Sequence, residues 1–203
     1  MLGMDLEATE LLEGEQASLS KAANAVIKLS DYGLKNLPYD QLMNLVGFKN
    51  KEAVGGKLHL TNYRLVFKAH PINRVQGKFS IFLPAVTGLK NTSPNFLTKR
   101  LEVRTELQVF EFVVWGVDDF IRSATERQQA LTRQQKTALR KAVLAKPAQF
   151  ISDTHVSQVV NNVSMKLPEL AKKVVEITTN PLDVSAAINV LEIIKMLTET
   201  DEK

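Results

Sequence analysis

The three histidines of the chain, His59, His70 and His155, are isolated: none stands at metal-ligand spacing from another histidine or a carboxylate. There is no cysteine, which excludes a cysteine nucleophile, an all-Cys zinc site and a disulfide framework. No G-x-S-x-G, P-loop or G-x-G-x-x-G appears. Gly55-Gly56 precedes a β-rich run rather than a helix, so it reads as a strand-entry turn and not a phosphate loop. Asp118 and Asp119 are adjacent carboxylates, but the start of a helix explains them, because negative charge suits the dipole there. These observations predict a non-enzymatic chain with no cofactor and no metal. What the sequence concentrates is positive charge. Lys57, Arg64, Lys68, Arg74, Lys78, Lys90, Lys99, Arg100 and Arg104 fall in one stretch with a single acid, Glu102, although the net charge is only +4. Such a region attracts polyanions, meaning nucleic acid or anionic lipid headgroups.

The elements that position these cations follow from periodicity. The chain has 203 residues, 44% hydrophobic and 24% charged, the composition of a globular protein. Its start, MLGMDLEATELLEGE, is acidic and lacks an apolar core, so it is no secretory signal. No apolar run approaches the ~20 residues of a membrane span. Any membrane contact is then peripheral, and a cytoplasmic location is expected. Residues 1–14 read as an acidic helix or flexible segment. Val26, Ile27 and Leu29 suggest a strand, and 38–48 a short helix within an insertion at about 34–54. From Gly55 to Gly116 the period is two. Strands are predicted at Lys57–Thr61, Tyr63–Lys68, Lys78–Leu83, Ala85–Lys90, Lys99–Thr105 and Gln108–Trp115, joined as an antiparallel meander. From Val117 the period is 3.6, with Phe120, Ile121, Ala124, Leu131, Leu139 and Val143 on one side of a helix. Further helices are predicted at Asp153–Met165, Pro168–Thr179 and Pro181–Glu199. This divides the chain into a domain at 15–135 and a helical tail at 136–203.

Gly56-Lys57-Leu58-His59-Leu60-Thr61-Asn62-Tyr63-Arg64-Leu65-Val66-Phe67 resembles the G-x-L-x-L-T-N-x-R-L-x-F signature of GRAM domains. Phe79 to Leu89 resembles the next strand pair of that family, and Leu101–Thr105 with Phe110-Glu111-Phe112 its closing hairpin. The resemblance covers roughly Glu15 to Gln129. It implies an α+β, pleckstrin-homology-like fold: a bent antiparallel barrel or sandwich of about seven strands capped by a helix, here with a C-terminal helical extension. It also implies a non-catalytic module that binds phosphoinositides or other anionic lipids, or that docks proteins.

In a meander every second connection lies at the same end of the sheet. That argument puts Lys57, Lys68, Arg74, Lys78, Lys90, Lys99 and Arg100 around one rim. Ile72, Phe96 and Leu97 at the loop tips would form an apolar wedge, a combination that suits an anionic bilayer. Phe96 and Leu97 read equally well as core residues of the next strand. Nucleic acid is not expected as a partner, since Tyr63, Phe67, Phe79 and Phe110 fit the inside of a closed barrel better than an exposed stacking platform. His59 is expected to face solvent. Trp115 reads first as a core plug between sheet and helix, and otherwise as an interfacial anchor. In the tail, Val184, Ile188, Leu191 and Ile194 form one stripe, expected to be buried within the chain or against a homodimer or helical protein partner. The alternative to lipid binding is therefore an assembly module working through these helices.

Overall fold

The computed structural model describes residues 4–29, 54–73, 76–95, 97–151, 167–178 and 180–199, with Val156, Gln158 and Val160 between them. The expected helix at 38–48, Arg74, Phe96 and most of 153–165 lie outside the described residues.

Seven strands form one antiparallel sheet: β1 (Ala17–Leu29), β2 (Val54–Thr61), β3 (Arg64–Ala69), β4 (Lys78–Phe82), β5 (Gly88–Asn91), β6 (Arg100–Arg104) and β7 (Gln108–Val114). Alternation builds it. Leu58, Leu60, Leu65, Phe67, Phe79, Ile81, Leu101, Val103, Phe110 and Phe112 recur at every second position and all point to one buried face. Their aromatic rings pack at the centre, with Phe79 and Phe110 stacked at 5.2 Å.

The strand order is β4-β3-β2-β1-β7-β6-β5. The thirteen-residue β1 is the spine. Ala17 to Ala25 pair with β2 and Ala23 to Leu29 with β7, so two half-sheets overlap only along Ala23–Ala25. β4 and β5 are the two edges and do not pair, so the sheet is not closed into the expected barrel. Helices cover the openings instead. The helix α1 (Val117–Ala130) buries Val117, Phe120 and Ala124, and Gln128 donates to the Leu83 and Val86 carbonyls. An α+β fold with seven antiparallel strands followed by a capping helix is the pleckstrin-homology-like arrangement that the resemblance implies.

The long helix expected from Val117 breaks at Leu131, where the backbone becomes extended. Thr132 then caps α2 (Arg133–Ala145) through a reciprocal box with Gln135. Two more helices follow, α3 (Leu167–Ile177) and α4 (Pro181–Glu199). α4 packs along the edge strand β4 and also contacts α2 and α3, which covers an edge that would otherwise offer unpaired backbone groups. The N-terminal segment is not the expected helix. Its described residues form one 3-10 turn at Ala8–Glu10 and a second turn at Glu13-Gly14, and residues 4–7 run across the outer face of β2 and β3.

Candidate functional site

The outer face of β2, β3 and β4 carries the polar alternation. Lys57, Lys68 and Lys78 stand opposite one another in one row across the three strands, and His59, Val66 and Ser80 form the next. Like charges directly opposite in a sheet repel. The acidic N-terminal segment answers this. Asp5 pairs with Lys57 at 2.6 Å, and Glu10 pairs with both Lys68 and Lys78 at 2.7 Å. Burial alone would raise the Glu10 carboxyl. The Glu7 backbone bond and the two lysines outweigh it and hold its pKa at about 2.

His59 is not solvent-facing as its alternation suggested. It is 3% exposed and bonds the Met4 carbonyl at 2.7 Å. Desolvation lowers its pKa despite that bond, so it is neutral at pH 7. Deeper in, Glu15 is clamped by Arg64 through two bonds, at 2.8 and 3.0 Å. Glu15 also accepts from the Thr61 hydroxyl, while Arg64 donates to Ser80 and lies 4.9 Å from the centre of the Phe150 ring.

The six described cations of the expected rim divide between the two half-sheets that flank β1. β1 is antiparallel to both β2 and β7, so those two strands run the same way, and the parity of the meander fails across β1. The β3–β4 loop lies beside the start of β2, where His70 N–H reaches the Gly55 carbonyl. The β5–β6 loop lies beside the end of β7, where Val114 N–H reaches the Lys99 carbonyl. These are opposite ends of two strands that run the same way, but stagger brings them level: Gly55 and Val113 both pair with Asn24, so the two loops leave the sheet on either side of the middle of β1. Lys57, Lys68 and Lys78 are held by the N-terminal segment. Lys90, Lys99 and Arg100 belong to the other half-sheet and make no ion pair with any described residue.

Two of the exposed side chains at that second tip are large and apolar, beside the exposed Asn91, Asn95, Asp118 and Asp119. Leu97 is 66% exposed and Trp115 68%, so Trp115 is no core plug. The geometry holds them out. Asn95 accepts from the Leu97 and Thr98 amides, Ser93 accepts from the Arg100 amide, and Asn91 ties the loop to Asp118 at the start of α1. Lys99 and Arg100 pair beside Val113 and Val114, one residue from the tryptophan. Ile72 is also exposed, at the tip of the β3–β4 loop.

The stripe Val184, Ile188, Leu191 and Ile194 lies buried within the chain, so it offers a homodimer or helical partner no open apolar face. A flank of α4 beside that stripe is buried as well, and it is polar. Gln108 donates to Asn189 and to the Ser185 carbonyl, and Glu192 accepts from the Leu107 amide. The sequence signals this seam only as Ser185, Asn189 and Glu192 at spacings of four and three. Among the described residues, no group of three or more His, Asp or Glu is placed to hold a metal, and no helix is long and apolar enough to cross a membrane.

No model of a known protein family matches the chain, and no curated protein matches it. Two solved structures align with it at a TM-score of 0.40 each. One is the C-terminal domain of an unknown protein from Leishmania infantum, 15% identical over 58% of this chain and 87% of that one. The other is the Vps36 N-terminal PH domain, 13% identical over 59% of this chain and 83% of that one.

Proposed function

We propose that the chain is a non-catalytic module that docks on anionic membrane surfaces, phosphoinositide-bearing ones included, through the tip formed by the β5–β6 loop and the β7–α1 corner. The observation that carries this reading is the pair of outward apolar side chains, Leu97 and Trp115, near Lys99 and Arg100, with Lys90 farther along β5, three cations that make no ion pair with a described residue. Indole settles at bilayer interfaces, and each nearby Lys or Arg adds about 1 kcal/mol on an anionic surface. Placing the two apolar side chains in the interface contributes roughly 3–5 kcal/mol more. The total corresponds to a dissociation constant of roughly 1–40 μM, the range of a reversible peripheral contact.

Co-sedimentation with vesicles tests it. The full chain should pellet with phosphatidylcholine vesicles that contain phosphatidylserine or a phosphoinositide, and poorly with phosphatidylcholine alone. Leu97→Ser with Trp115→Ser, and separately Lys99→Glu with Arg100→Glu, should each weaken pelleting at least about tenfold while the fold is retained, since all four positions lie at the surface. Equal pelleting of both double variants and the wild-type chain would refute the assignment.

A further inference from the structure

We propose that the outer face of β2–β4 is a second site, for an anion bearing several phosphate groups, and that residues 4–10 of the same chain lie in it as an acidic cover. Lys57, Lys68 and Lys78 stand in one row. Adjacent strands are about 4.8 Å apart, so three ammonium groups converge on a span of about 10 Å. Like charges directly opposite destabilise such a row, and anions among it relieve the repulsion. Here those anions are Asp5 and Glu10. Glu10 sets one carboxylate oxygen against Lys68 and the other against Lys78, both at 2.7 Å, as two oxygens of a phosphate would sit. Lys68 reaches the Asp5 carbonyl as well, and Arg64 the Glu10 carbonyl. Basic side chains that end on backbone carbonyls of the cover have hydrogen bonds to offer a ligand in its place.

The cover is unevenly fastened. Its root is deep: Leu12 is buried and its amide bonds Glu15, which is clamped by Arg64 and Thr61. Gly14, with φ +72°, turns the chain within that root, between Leu12 and Glu15. The outer half is held by the lysine pairs and by bonds from His59, Lys68, Arg64 and Gln149 to the Met4, Asp5 and Glu10 carbonyls. The Asp5–Lys57 pair is the solvated one; such a pair contributes about 0.2–1 kcal/mol and weakens with salt. A ligand with more negative charge than two carboxylates can therefore displace residues 4–10 while the Glu15–Arg64 clamp stays closed. The site is separate from the membrane tip, which lies on the other half-sheet beyond β1, so either reading can fail without the other.

Inositol hexakisphosphate is the probe, titrated into the full chain by calorimetry at low salt. Asp5→Asn with Glu10→Gln removes the competing charge and keeps the shape of the cover. This double variant should bind the probe about tenfold tighter than the wild type or better, a difference of about 1.4 kcal/mol. Adding Lys68→Glu should abolish the gain. On the wild-type chain, saturating probe should speed hydrogen exchange at the Glu10 and Leu11 amides, which are protected by the turn at Ala8–Glu10. That arm needs no variant, so a misfolded double variant leaves the test standing. Equal affinity of wild type and double variant, binding by neither, or binding without faster exchange in the cover would overturn the proposal. The source of the phosphates is read from vesicles. A gain by the double variant on phosphoinositide vesicles over phosphatidylserine vesicles of equal charge assigns a lipid headgroup. A gain confined to the soluble probe assigns a free polyphosphate. Both results uphold the site.

Discussion

Replacing Glu192 with Gln should remove a pH-dependent weakness from the fold. The carboxyl is buried between α4 and the β6–β7 turn, with one oxygen accepting from the Leu107 amide at 2.6 Å and the other without a hydrogen bond. Burial pushes its pKa up from 4.5 to about 7. The Thr105 hydroxyl and Leu107 amide pull it back, Glu106 adds to the rise and Lys195 opposes it. The folded state therefore holds this proton more tightly than the unfolded chain. Below about pH 4.5 both states carry the proton, and no charge is buried. As pH rises from 4.5 through 7, the unfolded chain releases it first and the folded state is progressively penalised. The full difference is about 3 kcal/mol, reached above about pH 8. Gln copies the protonated acid, with an acceptor for Leu107 and an N–H where the acid has an O–H. The two proteins should then melt together near pH 4. Near pH 8.5 the Glu192→Gln protein should melt about 6–12 °C higher, at about 2–4 °C per kcal/mol for a chain of this size. Thermal melts followed by circular dichroism measure this, and other titrating groups cancel in the difference. A gap between the two proteins that stays constant from near pH 4 to near pH 8.5 would refute the reasoning, because the carboxyl would then be ionised in the fold at no cost.

Three further outcomes are expected. Glu15→Ala leaves Arg64 charged and buried, so urea unfolding should show a loss of about 3–5 kcal/mol; a loss below about 1 kcal/mol would mean that Arg64 reaches water. Gly56→Ala places a methyl group 2.2 Å from the Lys68 carbonyl oxygen and 2.8 Å from the Phe67 ring. Its cost should reach or exceed about 1–3 kcal/mol by the same assay, and a wild-type curve would contradict the close approach of β2 and β3. The Glu10 carboxyl, held at about 2, contributes stability that is fully present above 4.5 and lost as pH falls from 4.5 through 2. Protection of the Leu11 amide, taken relative to its intrinsic exchange rate at each pH, should fall over that window in the wild type and show no such step in Glu10→Gln.

The strands were legible because one face of each is apolar. Leu58, Leu60, Leu65 and Phe67 alternate without exception, and the α4 stripe recurs at helical spacing. Both patterns are local, and both elements form where they were read. What covers a second face is not local. His59 alternates with leucines as a solvent-facing residue would, and nothing near it announces that Met4, fifty-five residues away, closes over it. The division of the described cations between two half-sheets was not local either. The alternation of strand directions is correct within each half-sheet, but β1 enters between β2 and β7 and resets it. Trp115 follows an unbroken β7 pattern, yet it stands just past the final paired residue, where the chain turns into α1. The polar seam on α4 was hidden because Ser185, Asn189 and Glu192 look like an ordinary solvated helix face.

Trp115 is the only tryptophan in the chain and stands at the proposed membrane tip, exposed to solvent. Its fluorescence therefore reads membrane docking directly, without a label or a substitution. On titration with phosphatidylcholine vesicles containing phosphatidylserine or phosphoinositide, its emission should shift to shorter wavelength as the ring leaves water for the interface. The shift should diminish as salt rises and the Debye length falls to about 8 Å at physiological strength. Phosphatidylcholine alone should produce little change. An emission spectrum that stays at its solvent-exposed position while the protein sediments with anionic vesicles would place the contact elsewhere and contradict the account.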